Sequence, residues 1–484
     1  MSNSSTQQYN SAKIWQIGLF ALNNTATNTI MSAMAYLAVF SQNILGIAAV
    51  AIGLAITSMR IFDGITDPII GYMIDKTETK FGKYRPYMLI GNLILLVTVY
   101  LIFGVVPALD KGMRFPVLMG VYVIYVIGYT FQTACTKAAQ ASLTNDPKQR
   151  PLFTIFDSIY NAILFSVSAL VVTSILPPLF VEGYDNGMLN PEMWKAVAII
   201  FGGSSFVLTI LAIIGISGRD RKEFYGAGGK SVQVKFKDYW PIIKSNRAIQ
   251  MLVIAAATDK LASNLANAAK IYLFGNVLMN VALQGQVATI TTPITIIITI
   301  IGVRYASKLG QKKAFIAGTW LSMAMLILML VLQPFDGISM TQINTNTILF
   351  LSITILQAAF MSISGNIVIP MIADCADYEA SRTGKFVPGM MGTLFSFVDK
   401  LISSLSSTIL GLGLAMIGMA NAVIAPNTPA DTKFFWLVMG CMYIVPIFGH
   451  VASLVAMKFY PLTAEKMVEV QRDLVKIKAE ETIA

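Results

Sequence analysis

Two aspartates, Asp63 and Asp67, lie within an otherwise apolar stretch, in the segment RIFDGITDP at 60–68. A carboxylate near the middle of a bilayer costs roughly 2.5 to 3.5 kcal/mol on insertion scales, so it persists mainly where it has a function. Helix residues four apart share one face with about 6 Å between them, so one cation can bind both carboxylates. Thr66 adds a hydroxyl oxygen within the same turn. The spacing therefore predicts a site for Na⁺ or H⁺, with Asp63 and Asp67 as metal ligands if the ion is Na⁺.

Two basic residues inside predicted helices, Arg60 and Lys137, each allow a functional and a structural interpretation. Arg60 precedes Asp63 by one turn and would form an ion pair with it, although one arginine neutralises only one of the two carboxylates. Lys137 is flanked by small and polar residues, in QTACTKAAQ at 132–140, as is typical of a helix face that lines an aqueous cavity. We expect Lys137 to hold an anionic group of a ligand or to replace a cation beside the aspartates. An ion pair with Asp157 is the structural alternative.

Two later helices each carry an adjacent acid and base, Asp259 beside Lys260 and Asp399 beside Lys400. Adjacent helix residues point about 100° apart, so neither pair can neutralise itself on one face. One member of each pair is expected to face a cavity, and on the second of these helices we choose Lys400. The single histidine, His450, is expected to be a packing or interfacial residue. Any proton coupling should therefore run through carboxylates rather than through a histidine relay.

The composition excludes a soluble protein. Of the 484 residues, 55% are hydrophobic and 12% are charged, whereas soluble proteins carry about 25% charged residues. The three cysteines form neither a disulfide framework nor a zinc-binding spacing. No catalytic triad, metal-ligand cluster or phosphate-binding loop is visible, so we expect neither enzyme activity nor a cofactor.

Long apolar runs recur along the whole chain and predict an all-α membrane protein with twelve transmembrane helices. Most of the 35 lysines and arginines fall on one side if both termini are cytoplasmic, which predicts an N-in, C-in orientation in the bacterial inner membrane. The net charge of +10 is explained by these loops and not by a nucleic-acid partner. The predicted helices span 14–40, 46–74, 86–107, 115–143, 152–179, 194–216, 248–279, 283–304, 313–333, 344–377, 390–419 and 433–459.

The longest polar segment divides these helices into two halves. Both halves carry glycines and clustered basic residues in the loop after their second helix, at 71–85 and 302–313, which indicates a weak internal repeat. Two six-helix bundles are the plan of the major facilitator fold, whose substrate site lies near the midplane. We predict an N-terminal bundle with the cation site at 1–216, a cytoplasmic linker at 217–247, a second bundle at 248–459 and a cytoplasmic tail at 460–484.

Several motifs together carry a family resemblance. They are RIFDGITDPIIG at 60–71 with FGKYRP at 81–86, ADCADY at 373–378 with RTG at 382–384, and FYPLT at 459–463. With the lysine at position 400, this pattern resembles the glycoside-pentoside-hexuronide:cation symporter family over nearly the full length. The resemblance implies that Asp63 and Asp67 bind the coupling cation, that Thr66 stands at a ligand position, and that Thr130 lies near this site.

The same resemblance implies where a sugar would bind. Family members that bind galactosides are similar in having an aspartate on helix one and another on helix four. The matching positions here are Thr25, which follows Asn24, and Thr133, while Lys137 stands where an aromatic residue is expected. Replacing two carboxylates by hydroxyls and adding a cation favours an acidic sugar, such as a uronide or a sulfonated sugar. The expected substrate contacts are Asn24, Thr25, Thr133, Lys137 and Lys400.

Charged residues near the predicted cytoplasmic face form a candidate ionic gate, whose ion pairs would close the inner side and break as the protein rocks. The alternative is a set of ordinary surface pairs, each worth about 0–1 kcal/mol. The gate residues are Asp75, Arg85, Asp374, Asp377 and Arg382.

These observations lead us to expect symport of a sugar, preferably an acidic one, with Na⁺ or H⁺ by alternating access. The expected partners are the sugar, the cation and membrane lipid, and the architecture can work as a monomer. An exporter or lipid transporter on the same scaffold is the alternative, since fold does not determine substrate. The abundance of methionine, 26 residues, keeps this alternative open.

Overall fold

The computed structural model describes residues 11–77, 79–144, 150–221, 244–383, 388–470 and 472–473. Within these ranges the regular structure is helical, apart from one isolated bridge between Thr79 and Gly82. The prediction of an all-α protein is therefore confirmed.

A long helix occupies each of the twelve predicted segments in the described part of the chain. We number them α1 to α12; α12 contains a π-helical turn at Gly440–Ile444. Their bounds are α1 Ile14–Met34, α2 Ala49–Lys76, α3 Arg85–Tyr100, α4 Lys111–Ala138, α5 Arg150–Leu170, α6 Pro191–Ile216, α7 Arg247–Tyr272, α8 Leu283–Leu309, α9 Gln311–Leu332, α10 Thr345–Thr383, α11 Pro388–Met416 and α12 Thr432–Phe459.

Ten of the helices in the described chain are long and apolar enough to cross a membrane. The long helices outside this set are α1 and α7, whose sequences are rich in amide, hydroxyl and charged side chains, as in NNTATN at 23–28 and DKLASN at 259–264. Polar groups lower the mean hydropathy of both helices, and a helix packed among others tolerates them where they find partners. The twelve-span count and the N-in, C-in orientation remain predictions.

The chain forms two compact units. The first unit comprises Met1–Ala48, Ser58–Ser231 and Asn421–Ile424. Its core is formed by apolar side chains of α1 to α6, such as Phe20 and Met88, both fully buried. Helices α3 and α4 approach closely at Gly128, where a Cβ atom would lie 2.7 Å from Ile94 Cγ2. Small residues of this kind let transmembrane helices pack backbone to backbone.

The second unit comprises Ala49–Thr57, Val232–Ala420 and Ala425–Ala484. Its core lies mainly among α7, α9, α10 and α12 and includes the fully buried Leu252 and Met457. The predicted domain boundaries, which place the whole of α2 in the N-terminal bundle, remain a prediction.

Candidate functional site

Helices α2 and α4 bring three of the predicted cation-site residues together. Asp63 on α2 is almost fully buried, with 2% of its surface exposed. The Thr130 hydroxyl on α4 lies 3.0 Å from Asp63 Oδ1 and 3.2 Å from the hydroxyl of Thr66. A carboxylate and two hydroxyls are hard oxygen donors of the type that hard cations prefer. The arrangement can therefore bind a small cation or, at the carboxylate, a proton.

The position of Thr130 is fixed by amide hydrogen bonds on both sides of α4. The side chain of Gln132 donates to the Met88 carbonyl of α3 at 2.6 Å. On the opposite side, Asn23 of α1 donates to the Thr136 hydroxyl at 2.7 Å and to the Gln132 carbonyl at 3.2 Å. These buried bonds lock α4 against its neighbours, so the Thr130 hydroxyl faces α2.

Asp67 lies one turn beyond Asp63 on α2 and is half-buried. Its predicted role as the second carboxylate for one cation remains a prediction.

Arg60 has an aromatic partner that the sequence analysis did not name. The guanidinium carbon of Arg60 lies 6.0 Å from the ring centroid of Tyr129 on α4. Tyr129 stacks on Tyr125, which contacts Tyr122, at centroid distances of 6.3 and 5.6 Å. Cations are attracted to aromatic faces at such distances. The three tyrosines follow an i, i+3, i+7 spacing in the sequence, which places them on one helix face and could have indicated this aromatic stack.

Asn24 belongs to a polar ladder between α1 and α5. Its side-chain amide donates to Asp157 Oδ1 at 2.8 Å, and the same oxygen accepts from Asn161 at 2.8 Å. Asn28 extends the ladder by donating to Asn161 Oδ1 at 2.8 Å. The structure shows no ion pair between Lys137 and Asp157, whose carboxylate accepts from the two amides.

The remaining predicted substrate residues of the first unit differ in exposure. Lys137 on α4 is exposed and forms no ion pair with any described residue. Thr133, one turn before it, is half-buried and donates to the Thr130 carbonyl at 3.3 Å. Thr25 is buried, and its hydroxyl has no hydrogen-bond partner in the described part of the chain. The role of these three residues in substrate binding remains a prediction.

In the second unit, the adjacent acid–base pairs of α7 and α11 find partners across helices. Lys260 Nζ lies 2.5 Å from Asp399 Oδ2. Lys400 is half-buried on α11, and its role as a substrate contact remains a prediction. Asp259 accepts a hydrogen bond from the ring of His450 at 2.8 Å. The expectation that His450 is only a packing or interfacial residue missed this polar partner.

The candidate gate residues have local partners. Arg85 Nε lies 3.4 Å from Asp220 Oδ2, a buried carboxylate that the sequence analysis did not single out. Arg382 Nη2 lies 3.3 Å from Glu379 Oε2. Asp374 and Asp377 are half-buried on α10, and the Asp75 side chain lies outside the described residues. The gate remains a prediction.

The model of one protein family, described as "MFS/sugar transport protein", matches residues 19–464. The chain belongs to this family. It is therefore a multi-pass transporter of the major facilitator superfamily and of the sugar-transport type, and its location is the bacterial inner membrane. Family members are transporters rather than enzymes, which agrees with the expectation from the sequence.

Two curated relatives from Escherichia coli (strain K12) match the chain over most of its length. The putative glycoside/cation symporter YagG is 22% identical, covering 95% of this chain and 94% of its own. The glucuronide carrier protein homolog is 21% identical, covering 93% of each chain. The solved structure of a bacterial homolog to the human lysosomal transporter Spinster has a TM-score of 0.63 at 12% identity, covering 97% of this chain and 99% of that one. This likeness confirms the major facilitator fold.

Proposed function

We propose that this sugar transporter is a cation-coupled symporter whose coupling ion, Na⁺ or H⁺, binds at Asp63, Thr66 and Thr130, with Asp67 as a further ligand. The observation that carries the proposal is the buried Asp63 carboxylate with the Thr130 hydroxyl at 3.0 Å. A hydroxyl both donates and accepts hydrogen bonds. It can therefore donate to the carboxylate when the site is empty and turn its lone pairs to a cation when the ion binds.

We further propose that the substrate is an acidic sugar. Lys137 offers an exposed positive charge on α4, two turns from Thr130. A charged donor of this kind binds a carboxylate or a sulfonate through charge-assisted hydrogen bonds. The similarity to a protein named as a glucuronide carrier homolog agrees with this class. Asn24, Thr25, Thr133 and Lys400 are the further proposed contacts.

Coupling in this scheme is a free-energy link between two sites. Cation binding neutralises a buried carboxylate, which favours the state that binds the sugar. By linkage, the sugar tightens cation binding by the same factor as the cation tightens sugar binding. The loaded protein, working as a monomer, then exposes both ligands to the opposite side by alternating access.

The experiment that tests the cation site is calorimetric titration of the purified protein with glucuronic acid glycosides, with and without Na⁺ and at two pH values. We expect Na⁺ or acid to tighten sugar binding in the wild type and Asp63→Asn to remove this effect. Asp185→Asn changes an exposed aspartate and serves as the matched control. Cation-independent sugar affinity in the wild type, or an undiminished cation effect in Asp63→Asn, would contradict the proposal.

A neutral glycoside is a second candidate substrate, and the ladder of Asn24, Asp157 and Asn161 favours it. One carboxylate and two amides supply the acceptors and donors that sugar hydroxyls need. The two candidates differ in their dependence on Lys137, since a neutral sugar has no charge for the lysine to bind.

A further inference from the structure

The second unit contains a buried network of polar side chains that the proposed function does not use. Asp259 on α7 and His450 on α12 are 3% and 1% exposed, and His450 Nδ1 lies 2.8 Å from Asp259 Oδ1. Thr319 of α9 donates to Asp259 Oδ2 at 3.2 Å. On the far side of the ring, the hydroxyl of Ser322 lies 3.2 Å from His450 Nε2, and Gln357 of α10 donates to this hydroxyl at 3.2 Å.

An ionised Asp259 can only accept, so His450 Nδ1 carries a proton and donates it to Asp259 Oδ1. The Ser322 oxygen accepts from the Gln357 amide and has a second lone pair. The contact at His450 Nε2 is therefore satisfied in two ways: a bare Nε2 accepts the Ser322 hydroxyl proton, or an Nε2–H donates to the Ser322 oxygen. The Thr319 hydroxyl donates to the other carboxylate oxygen, Asp259 Oδ2. This agrees with an ionised aspartate, whose oxygens only accept hydrogen bonds.

With a bare Nε2 and an ionised Asp259, the pair carries one net negative charge inside the helix bundle. Burial in a low-dielectric interior penalises a net charge, and a neutral imidazole does not compensate it. The neighbouring pair of Lys260 and Asp399 is neutral as a whole, because the two side chains bind each other at 2.5 Å. One additional proton on the imidazole would turn the network into a neutral ion pair.

Among the described titratable and charged groups on elements that pack against α7 and α12, six are buried: Tyr272, Cys375, Glu379, Asp399, Cys441 and Tyr443. Most of the groups lie on α11, at the ends of α9 and α10, or elsewhere on α7 and α12 themselves. The groups are Asp399 and Lys400 on α11; Lys312 and Lys313 on α9; Asp374, Cys375, Asp377, Tyr378, Glu379 and Arg382 on α10; Arg247, Lys260, Lys270 and Tyr272 on α7; and Lys433, Cys441, Tyr443 and Lys458 on α12.

The contact between Asp259 and His450 depends on a close approach of their helices. Gly449 immediately precedes the histidine, and a Cβ atom there would lie 2.9 Å from Ala262 Cβ and 3.1 Å from the Thr258 carbonyl oxygen. Such distances are too short for an unadjusted side chain. Glycine at 449 therefore lets the backbone of α12 meet α7 beside the acid, and the imidazole reaches the carboxylate.

We propose that Asp259 and His450 form a proton-binding site in the second unit, distinct in its residues from the cation site at Asp63. The ligand is a proton, which binds at His450 Nε2. Nε2–H then donates to the Ser322 oxygen, whose hydroxyl proton turns away, and no covalent bond between heavy atoms changes. This site goes beyond the proposed function, in which the coupling ion binds only in the first unit.

The order Ser322, His450 and Asp259 also resembles a hydrolytic triad, but the geometry does not suit a nucleophile. Ser322 is fully buried, and its oxygen already accepts from Gln357. A nucleophile needs access to its substrate. The network is therefore suited to holding a proton rather than to attacking a bond.

Because His450 is the only histidine, nitrogen NMR can test the proposal directly. Protein purified without a histidine tag and labelled with ¹⁵N-histidine gives one pair of ring signals. We expect a proton on Nδ1 and a bare Nε2 at alkaline pH, and a single one-proton transition on acidification toward about pH 5. Asp259→Asn should weaken proton binding about tenfold, because it removes the charge that stabilises the imidazolium. Asp185→Asn, which changes an exposed aspartate, should leave the transition unchanged.

Three results would overturn the proposal: a proton on Nε2 at alkaline pH, no transition over the accessible range, or the same transition in wild type and Asp259→Asn. A transport readout complements the spectra and separates this site from the cation site. Where the calorimetry identifies Na⁺ as the coupling ion, His450→Gln should flatten the pH dependence of sugar uptake at saturating Na⁺ while keeping its Na⁺ dependence. An unchanged pH dependence in this variant would also count against the proposal.

Discussion

At the scale of single residues, the carboxylates of this transporter differ in the groups that hold them. Asp63 has a threonine hydroxyl at 3.0 Å, Asp157 has two amides at 2.8 Å, and Asp259 has an imidazole at 2.8 Å. Hydroxyls can turn to accept a cation, amides suit sugar hydroxyls, and an imidazole can take a proton. The chemistry proposed for each aspartate therefore follows from its neighbours.

Lys137 permits a test of the substrate class at this scale. We expect Lys137→Gln to weaken the binding of a glucuronide about tenfold or more, because a hydrogen bond to a charged group is worth roughly 1.5–3 kcal/mol. The affinity for the matching neutral glycoside should change little. Competition binding with the two ligands provides the measurement.

Lys111→Gln is the matched control, since Lys111 is an exposed lysine at the first residue of α4. Equal losses of affinity for the acidic and the neutral ligand would favour the neutral-sugar candidate. Lys137 would then have a structural role.

At the scale of elements, the start of α3 is held by a side chain that follows α6. Asp220 is buried, and its carboxylate accepts from the backbone N–H groups of Lys83, Tyr84 and Arg85 at 2.9, 3.1 and 3.0 Å. The first N–H groups of a helix have no partner within the helix, and a negative charge there also interacts favourably with the helix dipole. Asp220 therefore fixes the loop that joins α3 to the cation-site helix α2.

We expect Asp220→Asn to lower the free energy of unfolding by roughly 1–3 kcal/mol, because the amide loses the charge and one acceptor oxygen. Thermal unfolding of the purified protein measures the change. Asp431→Asn is the control: Asp431 caps α12 through a single bond to the Phe434 N–H at 2.7 Å, and asparagine is an equally good cap. Equal melting temperatures for the two variants would show that the Asp220 contact is not stabilising.

At the scale of the whole molecule, each compact unit contains its own set of ionisable groups with polar partners on its helices. The first unit holds Asp63 and Asp157, and the second holds Asp259 with His450 and Lys260 with Asp399. Such groups are costly in a membrane and usually mark function. The protein thus has polar chemistry in both units, although its composition is that of a membrane protein throughout.

The predicted N-in, C-in orientation can be tested at this scale with cysteine labelling. The native cysteines Cys135, Cys375 and Cys441 are free and buried, so they give a low background. With a membrane-impermeant maleimide on intact cells, we expect Lys111→Cys to react and Val468→Cys to react only after permeabilisation. Both positions are exposed in the structure. Labelling of Val468→Cys in intact cells would contradict the orientation.

The sequence by itself determined the class of protein, the places of the long helices and the pairing of Asp63 with Thr66 on one turn. These features depend on hydropathy and on i, i+3 and i+4 spacing, which are local properties of the chain. Helix ends were less accurate: α10 extends to Thr383 where the hydropathy predicted an end at 377, because polar residues can continue a helix beyond the apolar core.

Only the tertiary structure decided which polar and ionisable groups meet. Asn24 and Asp157 are 133 residues apart, Lys260 and Asp399 are 139 apart, and Asp259 and His450 are 191 apart. The contacts between these side chains depend on how the packed helices are rotated and how they cross. Close approaches of the helices, such as the one at Gly449, set this geometry. No local pattern encodes that rotation, so the sequence showed the charges in the membrane but not their partners.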